Sequence, residues 1–176
     1  CVLPCSAQLA DIRAVQPMGI IFSGGPASVL DEGAPRVDEG VFDLGVPVLG
    51  ICYGMQLMAH LLGAPVERGT RREYGRTDVT MDRVDGGLLA GLRPQSPCWM
   101  SHTYQVARPP EGFMAIAHTA DCPVAAMADD ARRLYGVQFH PEVTHTEEGA
   151  RVLENFLFGI CGCKGDWSMD AYADMA

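Results

Sequence analysis

The sequence is short of basic residues and contains no long hydrophobic run. Its 13 Lys and Arg stand against 22 Asp and Glu, which gives a net charge of −9 over 176 residues. Neutralising nucleic-acid phosphates requires clustered Lys and Arg, so this balance argues against a nucleic-acid surface. No apolar run approaches the roughly 20 residues of a membrane-spanning helix, and no basic-then-apolar leader precedes a small-residue cleavage site. We therefore expect a cytoplasmic protein with small-molecule or protein partners, no membrane and no nucleic acid.

The cysteines lack the spacing of a metal site or a disulfide framework. There are seven of them, an odd number, without a Cys-x-x-Cys pair typical of structural zinc sites. The nearest approach to a metal cluster is Cys-Gly-Cys at residues 161–163, where a tight turn after a helix is the simpler interpretation. Neither a disulfide framework nor a metal is predicted.

The hydrophobic content of 48% is enough for one large core.

The most informative stretch is residues 50–56, Gly-Ile-Cys-Tyr-Gly-Met-Gln. An apolar run at residues 46–49 precedes it and apolar residues at helical spacing follow it, so the pattern predicts strand, sharp turn and helix. The Gly-x-Ser-x-Gly nucleophile elbow is the serine version of such a turn. Cys52 would be the nucleophile, and the N-terminus of the following helix favours its thiolate. The alternative for Cys52 alone is a buried apolar cysteine, the commonest environment of that residue.

The order of elements predicts an α/β fold with an open, mostly parallel sheet, flanking helices and a partly antiparallel extension. From residue 75 onward apolar and polar residues alternate, which is typical of a half-exposed strand. The other predicted elements are a strand end at 1–4, a helix over 9–15, a strand at 19–22, a helix over 37–44, strands at 98–100, 113–116, 124–127 and 134–139, a helix over 152–157 and a possible helix within 162–176, the segment that contains Trp167.

His140 and Glu142 follow another predicted strand, on either side of a proline that keeps the backbone extended. Both side chains can therefore face the same side. A Cys nucleophile, a His base and an acid that orients the base form a catalytic triad. Ligands of open α/β sheets bind at the carboxyl ends of the strands, so we expect Cys52 and His140 to meet there. The histidines without a carboxylate at comparable spacing are interpreted as surface, loop or structural residues: His102, His118 and His145.

Acyl transfer also needs an oxyanion hole, and Ser-Gly-Gly-Pro at residues 23–26 can contribute to one. Two glycines allow the backbone to approach a ligand closely. We assign the N–H groups of Gly25 and Tyr53 as donors to the tetrahedral intermediate. A phosphate loop is one alternative for this turn, but the Gly-Lys-Ser/Thr ending that holds phosphate and magnesium is missing. A plain turn is the other alternative.

Residues 50–56 and residues 136–143, Gly-Val-Gln-Phe-His-Pro-Glu-Val, resemble the signatures of class I glutamine amidotransferases. The resemblance spans nearly the whole chain and implies that family's flavodoxin-like fold. The Tyr after Cys52, Trp-Met-Ser-His at residues 99–102 and residues 161–169 resemble the GMP synthase branch of the family.

The family resemblance implies a role for each candidate site residue. Cys52 would attack the glutamine side-chain amide, His140 would relay protons to the leaving ammonia, and Glu142 would orient His140. The sequence departs from the pattern at residues 101–104, Ser-His-Thr-Tyr, where many relatives have Ser-His-Gly-Asp. The remaining assignments are substrate binding by Gln56 and Tyr104 and the oxyanion donors Gly25 and Tyr53.

The resemblance also implies a partner. Residues 1–161 would form a glutaminase domain that lacks the family's first strand and helix, and residues 162–176 a linker toward an ATP pyrophosphatase (synthetase) domain of the same enzyme. That absent domain would use ATP and Mg to aminate xanthosine monophosphate (XMP) to GMP, whereas glutamine hydrolysis needs no cofactor. Two alternatives remain: another cysteine hydrolase of the same architecture, such as a cysteine peptidase or a γ-glutamyl hydrolase-like protein, and a non-catalytic glutamine-binding or docking module.

Overall fold

The computed structural model describes residues 1–166, which form a seven-stranded sheet with helices packed on it. Within these residues no helix has the length and apolar character needed to cross a membrane. The possible tail helix that includes Trp167 lies outside the described residues. In chain order the elements are α1 (Leu9–Ala14), β1 (Ile20–Phe22), β2 (Val48–Ile51), α2 (Tyr53–Leu61), β3 (Val66–Met81), β4 (Gln95–Val106), β5 (Met114–His118), β6 (Ala126–Asp129), β7 (Leu134–Val137) and α3 (Gly149–Glu154), which continues as a π-helical segment, Asn155–Ile160.

The sheet combines a parallel part with an antiparallel extension, in the order β1-β2-β7-β6-β5-β3-β4. Strands β1, β2 and β7 run parallel, and the other four pairings are antiparallel. This arrangement confirms the predicted α/β fold, with an antiparallel extension that is longer than the sequence pattern indicated. Because β2 and β7 are parallel neighbours, with Ile51 opposite Val137, their carboxyl ends lie at the same edge of the sheet.

Strands β3 and β4 form a long hairpin that reaches back to this edge. Val79 and Met81 are buried while Asp78 is exposed, which confirms the predicted alternation in β3. Both strands of the hairpin extend beyond the predicted ones, which began at residue 75 and covered residues 98–100. The register of the hairpin shifts between Arg68 and Glu73. Its β4 strand thereby runs past the end of β7.

Two predicted elements are wrong. Residues 1–4 form no strand, and a 3-10 turn, Glu39–Asp43, replaces the predicted helix over 37–44. Asp38 caps this turn by accepting a hydrogen bond from the N–H of Gly40 at 2.9 Å, and Gly45, with φ of +71°, ends the segment just before β2. Val41 is the fully buried member of the apolar stripe, so the segment has a single anchor and little burial to stabilise a longer helix.

The two faces of the sheet carry separate core clusters, as the period-two alternation of a strand requires. On one face Met55 and Met58 of α2 pack with Val48 and Leu134. The other cluster includes Tyr135 and Val137 of β7, with Val152 of α3 and Phe156 of the π-helical segment.

Gly50 and Gly54 allow the turn between β2 and α2 to pack backbone against backbone. A Cβ on Gly54 would lie 2.2 Å from the carbonyl oxygen of Phe22, and one on Gly50 would lie 2.6 Å from the Gly54 carbonyl carbon. These neighbours are backbone atoms that cannot move aside cheaply, so we expect Gly54→Ala to lower the free energy of unfolding by about 1–3 kcal/mol. Urea denaturation measures this change.

Gly159→Ala is the matched control, because a Cβ there would meet nothing within 4 Å in a helical segment. The control should leave the free energy of unfolding unchanged or raise it slightly. Similar denaturation midpoints for the two variants would contradict the close packing of the elbow.

Candidate active site

Cys52 lies at the junction of β2 and α2 in a conformation that side chains rarely adopt. Its φ is +50° and its ψ is −106°, at the position that caps the N-terminus of α2. Its N–H donates to the carbonyl of Val137 at 2.8 Å, while its own carbonyl accepts from the N–H of Gln56 at 3.1 Å. The turn is thus held from both sides, by the neighbouring strand and by the helix. This strained strand-to-helix turn is the geometry of a nucleophile elbow.

The Cys52 thiol differs from the other buried thiols in its surroundings. Its Sγ lies 3.7 Å from the carbonyl oxygen of Ser101 on β4, and the backbone N–H groups of the α2 N-terminus lie next to it in sequence. By contrast, burial raises the pKa of Cys98 and of Cys122 to about 12, so those thiols stay protonated at neutral pH. Its place at a helix N-terminus sets Cys52 apart from Cys98 and Cys122.

His140 and Glu142 form a hydrogen-bonded pair just beyond the end of β7. The ring Nδ1 of His140 lies 2.7 Å from Glu142 Oε1. The backbone is fixed as well, because the N–H of His140 donates to the Trp99 carbonyl at 3.0 Å and the Thr146 hydroxyl donates to the His140 carbonyl at 2.6 Å. The imidazole is therefore held on a rigid corner between β7 and β4.

Gly24 shows how close Cys52 and His140 come to each other. A Cβ on Gly24 would lie 3.0 Å from His140 Cε1 and 3.6 Å from Cys52 Cβ, so the two side chains flank the same point of the β1 loop. The hydrogen bond to the Cys52 sulfur raises the pKa of His140 to about 9, with a further contribution from Glu142, against the opposing effect of burial. The Cys52 thiol itself points to the Ser101 carbonyl.

The predicted oxyanion donors lie side by side. Tyr53 is the first residue of α2, where N–H groups have no partner within the helix. A Cβ on Gly25 would lie 3.7 Å from the Tyr53 ring, and no acceptor within residues 1–166 takes the Gly25 N–H. The Tyr53 hydroxyl donates to the Pro35 carbonyl, which anchors the ring under the loop.

Gln56 is buried on the first turns of α2, and its amide orientation is fixed. Its Nε2 donates to the Tyr104 carbonyl at 2.7 Å and to Gln138 Oε1 at 3.0 Å. Both amide hydrogens are thereby used, and Oε1 accepts nothing from the described part of the chain, so it remains available as an acceptor. Tyr104 takes part through its backbone. Gln138 was not predicted as a site residue, although it lies within the motif at residues 136–143.

Sequence reasoning also missed a buried carboxylate–histidine pair, Glu73 and His102, whose side chains lie 3.0 Å apart. His102 is therefore a structural residue, which is one of the three interpretations (surface, loop or structural) predicted for it. One ligand atom each of Glu73, His102 and Cys122 lies within 4.8 Å of the others, so these three residues are the group that could hold a metal within residues 1–166. Of the other histidines, His118 pairs with Asp82 at the surface, and His145 stacks on Trp99.

A cavity of about 980 Å³ lies beside the Cys52 site rather than at it. It runs under the exposed edge strand β1 and reaches Gly24, Gly25 and Tyr53. Cys52 and His140 are not among its lining residues. The candidate active site formed by Cys52, His140 and Glu142 therefore lies at the edge of the sheet, outside this cavity.

Comparison with known proteins places this chain in a family. A model of the family "Glutamine amidotransferase class-I" matches residues 1–160. The curated relatives named GMP synthase (glutamine-hydrolyzing) from Acetivibrio thermocellus and Clostridium perfringens are 54% and 53% identical over 173 residues. These alignments cover 98% of this chain and 34% of each relative, so the chain spans about a third of their length.

Solved structures of related proteins have the same fold as this chain. The crystal structure of a protein described as one subunit of GMP synthase, from Thermoplasma acidophilum, superposes with a TM-score of 0.80 at 29% identity, covering 96% of this chain and 80% of that one. A glutamine amidotransferase from Thermotoga maritima has a TM-score of 0.64 at 22% identity, over 92% of this chain and 64% of its own, and shows the same fold. The chain belongs to the class I glutamine amidotransferases.

Proposed function

We propose that this chain hydrolyses glutamine to glutamate and ammonia. The observation that carries the proposal is the left-handed turn at Cys52 with the bonded His140 and Glu142 pair beside it, both meeting at Gly24. A nucleophile, a base and a group that orients the base are the parts that acyl transfer from an amide requires.

In the proposed reaction the Cys52 thiolate attacks the carboxamide carbon of glutamine. The N–H groups of Tyr53 and Gly25 stabilise the oxyanion of the tetrahedral intermediate, each donor of this kind typically being worth about 3 kcal/mol. The His140 imidazolium gives its proton to the amide nitrogen, and ammonia leaves a thioester on Cys52. His140 then takes a proton from water, which attacks the thioester and releases glutamate.

Gln56 would bind the other end of the substrate. Both of its N–H hydrogens are engaged, so its free Oε1 can only accept, which suits an ammonium group such as the α-amino group of free glutamine. This preference for a charged α-amino group favours glutamine over a peptide substrate.

We further propose that the ammonia passes to a synthetase half that converts XMP to GMP with ATP and Mg. The support is that the curated relatives are named GMP synthase and are about three times as long as the aligned region. That synthetase half is the proposed partner, and ATP and Mg would act there.

The direct test is to incubate the purified chain with glutamine and to measure glutamate and ammonia, which should appear in equal amounts. γ-Glutamyl peptides and ordinary peptides serve as competing substrates. Faster cleavage of either would favour another cysteine hydrolase. Saturable glutamine binding without turnover, also in the presence of the synthetase half, would favour a non-catalytic module.

The pH dependence tests the role of the imidazolium. Because the pKa of His140 is raised to about 9, we expect kcat/KM for glutamine to fall as the pH rises through about 9 and the proton donor is lost. Glu142→Gln removes a carboxylate that raises this pKa, so the midpoint of the fall should move to lower pH. A midpoint unchanged in Glu142→Gln would contradict a contribution of Glu142 to the raised pKa of His140.

A further inference from the structure

A buried polar network lies next to the site, on the antiparallel extension. Glu73 on β3 and His102 on β4 are 8% and 4% exposed, and His102 Nε2 lies 3.0 Å from Glu73 Oε2. The Thr119 hydroxyl donates to the other carboxylate oxygen at 2.8 Å. Burial acts to raise the pKa of Glu73, but the hydrogen bonds from His102 and Thr119 outweigh it and lower the pKa. The Glu73 carboxylate is therefore ionised and held in place inside the protein.

The other ring nitrogen of His102 connects this network to the site. His102 Nδ1 lies 3.2 Å from the Tyr104 carbonyl oxygen, which also accepts from Gln56 Nε2 at 2.7 Å. A carbonyl oxygen can only accept a hydrogen bond, so His102 bonds to Tyr104 in the form that carries a hydrogen on Nδ1. The Tyr104 carbonyl is thus fixed between two donors, one from each side.

We propose that Glu73 is a positioning residue for the glutamine-binding side of the site. It holds the His102 ring so that Nδ1–H fixes the Tyr104 carbonyl, and this carbonyl in turn orients the Gln56 amide with its Oε1 free for the substrate. The backbone of Cys52 does not depend on this connection, because it is held by the turn between β2 and α2. The role rests on the proposed function, and loss of Glu73 should weaken glutamine binding more than it slows the chemistry.

A metal site is the competing interpretation of the same residues, since three ligands are what a catalytic zinc takes from a protein. A zinc ion would need Cys122 as its third ligand beside Glu73 and His102. Both Glu73 oxygens already accept hydrogen bonds, from His102 and Thr119. The geometry therefore favours the hydrogen-bonded network.

Three variants test the positioning role by steady-state kinetics. Glu73→Leu removes the hydrogen bond that holds the His102 ring. The KM for glutamine should therefore rise about tenfold, while kcat should stay within about threefold of the wild-type value. Glu73→Gln should keep KM within about threefold of wild type, because its amide can donate to His102 Nε2 while Nδ1–H stays on the Tyr104 carbonyl. Asp82→Leu is the matched control, since Asp82 holds His118 at 2.9 Å in an exposed pair outside the network. It should change neither constant.

The reactivity of Cys52 separates positioning from general damage. Iodoacetamide alkylation of Cys52, followed by mass spectrometry of its peptide, should proceed at the same rate in wild type and Glu73→Leu. An unchanged KM in Glu73→Leu, or equal losses in KM, kcat and alkylation rate, would overturn the proposal while leaving glutamine hydrolysis by the wild type intact. One zinc per chain in the wild type, lost in Glu73→Leu, would also overturn it.

A last measurement needs no variant and no activity, so it applies even if Glu73→Leu does not fold or the chain does not hydrolyse glutamine. NMR of the wild-type chain should detect a slowly exchanging Nδ1 proton on His102, because that proton is buried and donated to the Tyr104 carbonyl. A His102 ring without a proton on Nδ1 would refute the connection to the site.

Discussion

Cys52→Ala should reduce kcat for glutamine hydrolysis by about 10⁶-fold, the typical cost of losing the nucleophile of a triad. The fold should survive, because the substitution only removes the sulfur atom and the turn is held by backbone hydrogen bonds to Val137 and Gln56. Glutamate production measures the loss, and circular dichroism checks the fold. A residual rate within about a hundredfold of wild type would contradict nucleophilic attack by this residue.

Cys98→Ala is the matched control for the nucleophile. Cys98 is also buried, on β4, and its thiol is kept protonated by a pKa of about 12. Its replacement should lower stability slightly and leave turnover per folded molecule unchanged.

In a version joined to the synthetase half, Cys52→Ala should still support amination with free ammonium, because that chemistry would lie in the other half.

The elbow was predictable because its signal is local. The turn around Cys52 needs glycines at positions 50 and 54, where any Cβ would collide with backbone atoms, and these glycines appear within five residues of sequence. His140 and Glu142 are likewise separated by one proline and bond to each other in the structure. Short spacing ties the residue types to one geometry, so the sequence alone predicted the sharp turn at Cys52 and the pairing of His140 with Glu142.

The supporting contacts were not predictable because they join distant segments. His102 is 29 residues from Glu73, and Gln56 is 82 residues from Gln138. The register of the long β3–β4 hairpin brings Glu73 opposite His102. This register shifts between Arg68 and Glu73, and the alternation of apolar residues does not predict that shift. Local pattern could thus predict the turn and the histidine–carboxylate pair, whereas the placement of the contacts that support them depends on strand pairing.

The failed helix over 37–44 has a related cause. Apolar residues do recur there at helical spacing, but Gly40 and Gly45 lower helix propensity, and only Val41 is fully buried. Asp38 instead caps a single turn. Periodicity predicts which face a helix would bury, and it does not show whether enough burial exists to stabilise one.

His140→Ala should be nearly as severe as loss of the nucleophile, about 10⁶-fold in kcat, whereas Glu142→Ala should cost about 10⁴-fold. In the proposed mechanism His140 balances the thiolate and carries the proton to ammonia, and its side chain is mostly buried, with 17% exposed. Glu142 acts only through one 2.7 Å hydrogen bond from a side chain that is 45% exposed, so water can replace part of its effect.

Alkylation of Cys52 at neutral pH gives an independent view of the same difference. Without the imidazolium the thiolate loses its counter-ion, so His140→Ala should slow alkylation strongly, and Glu142→Ala should slow it less because the imidazole remains. His145→Ala is the matched control, since His145 is an exposed histidine on the same loop that stacks on Trp99. Equal losses of hydrolysis and alkylation in His140→Ala and Glu142→Ala, with normal circular dichroism, would contradict separate roles for the base and its orienting carboxylate.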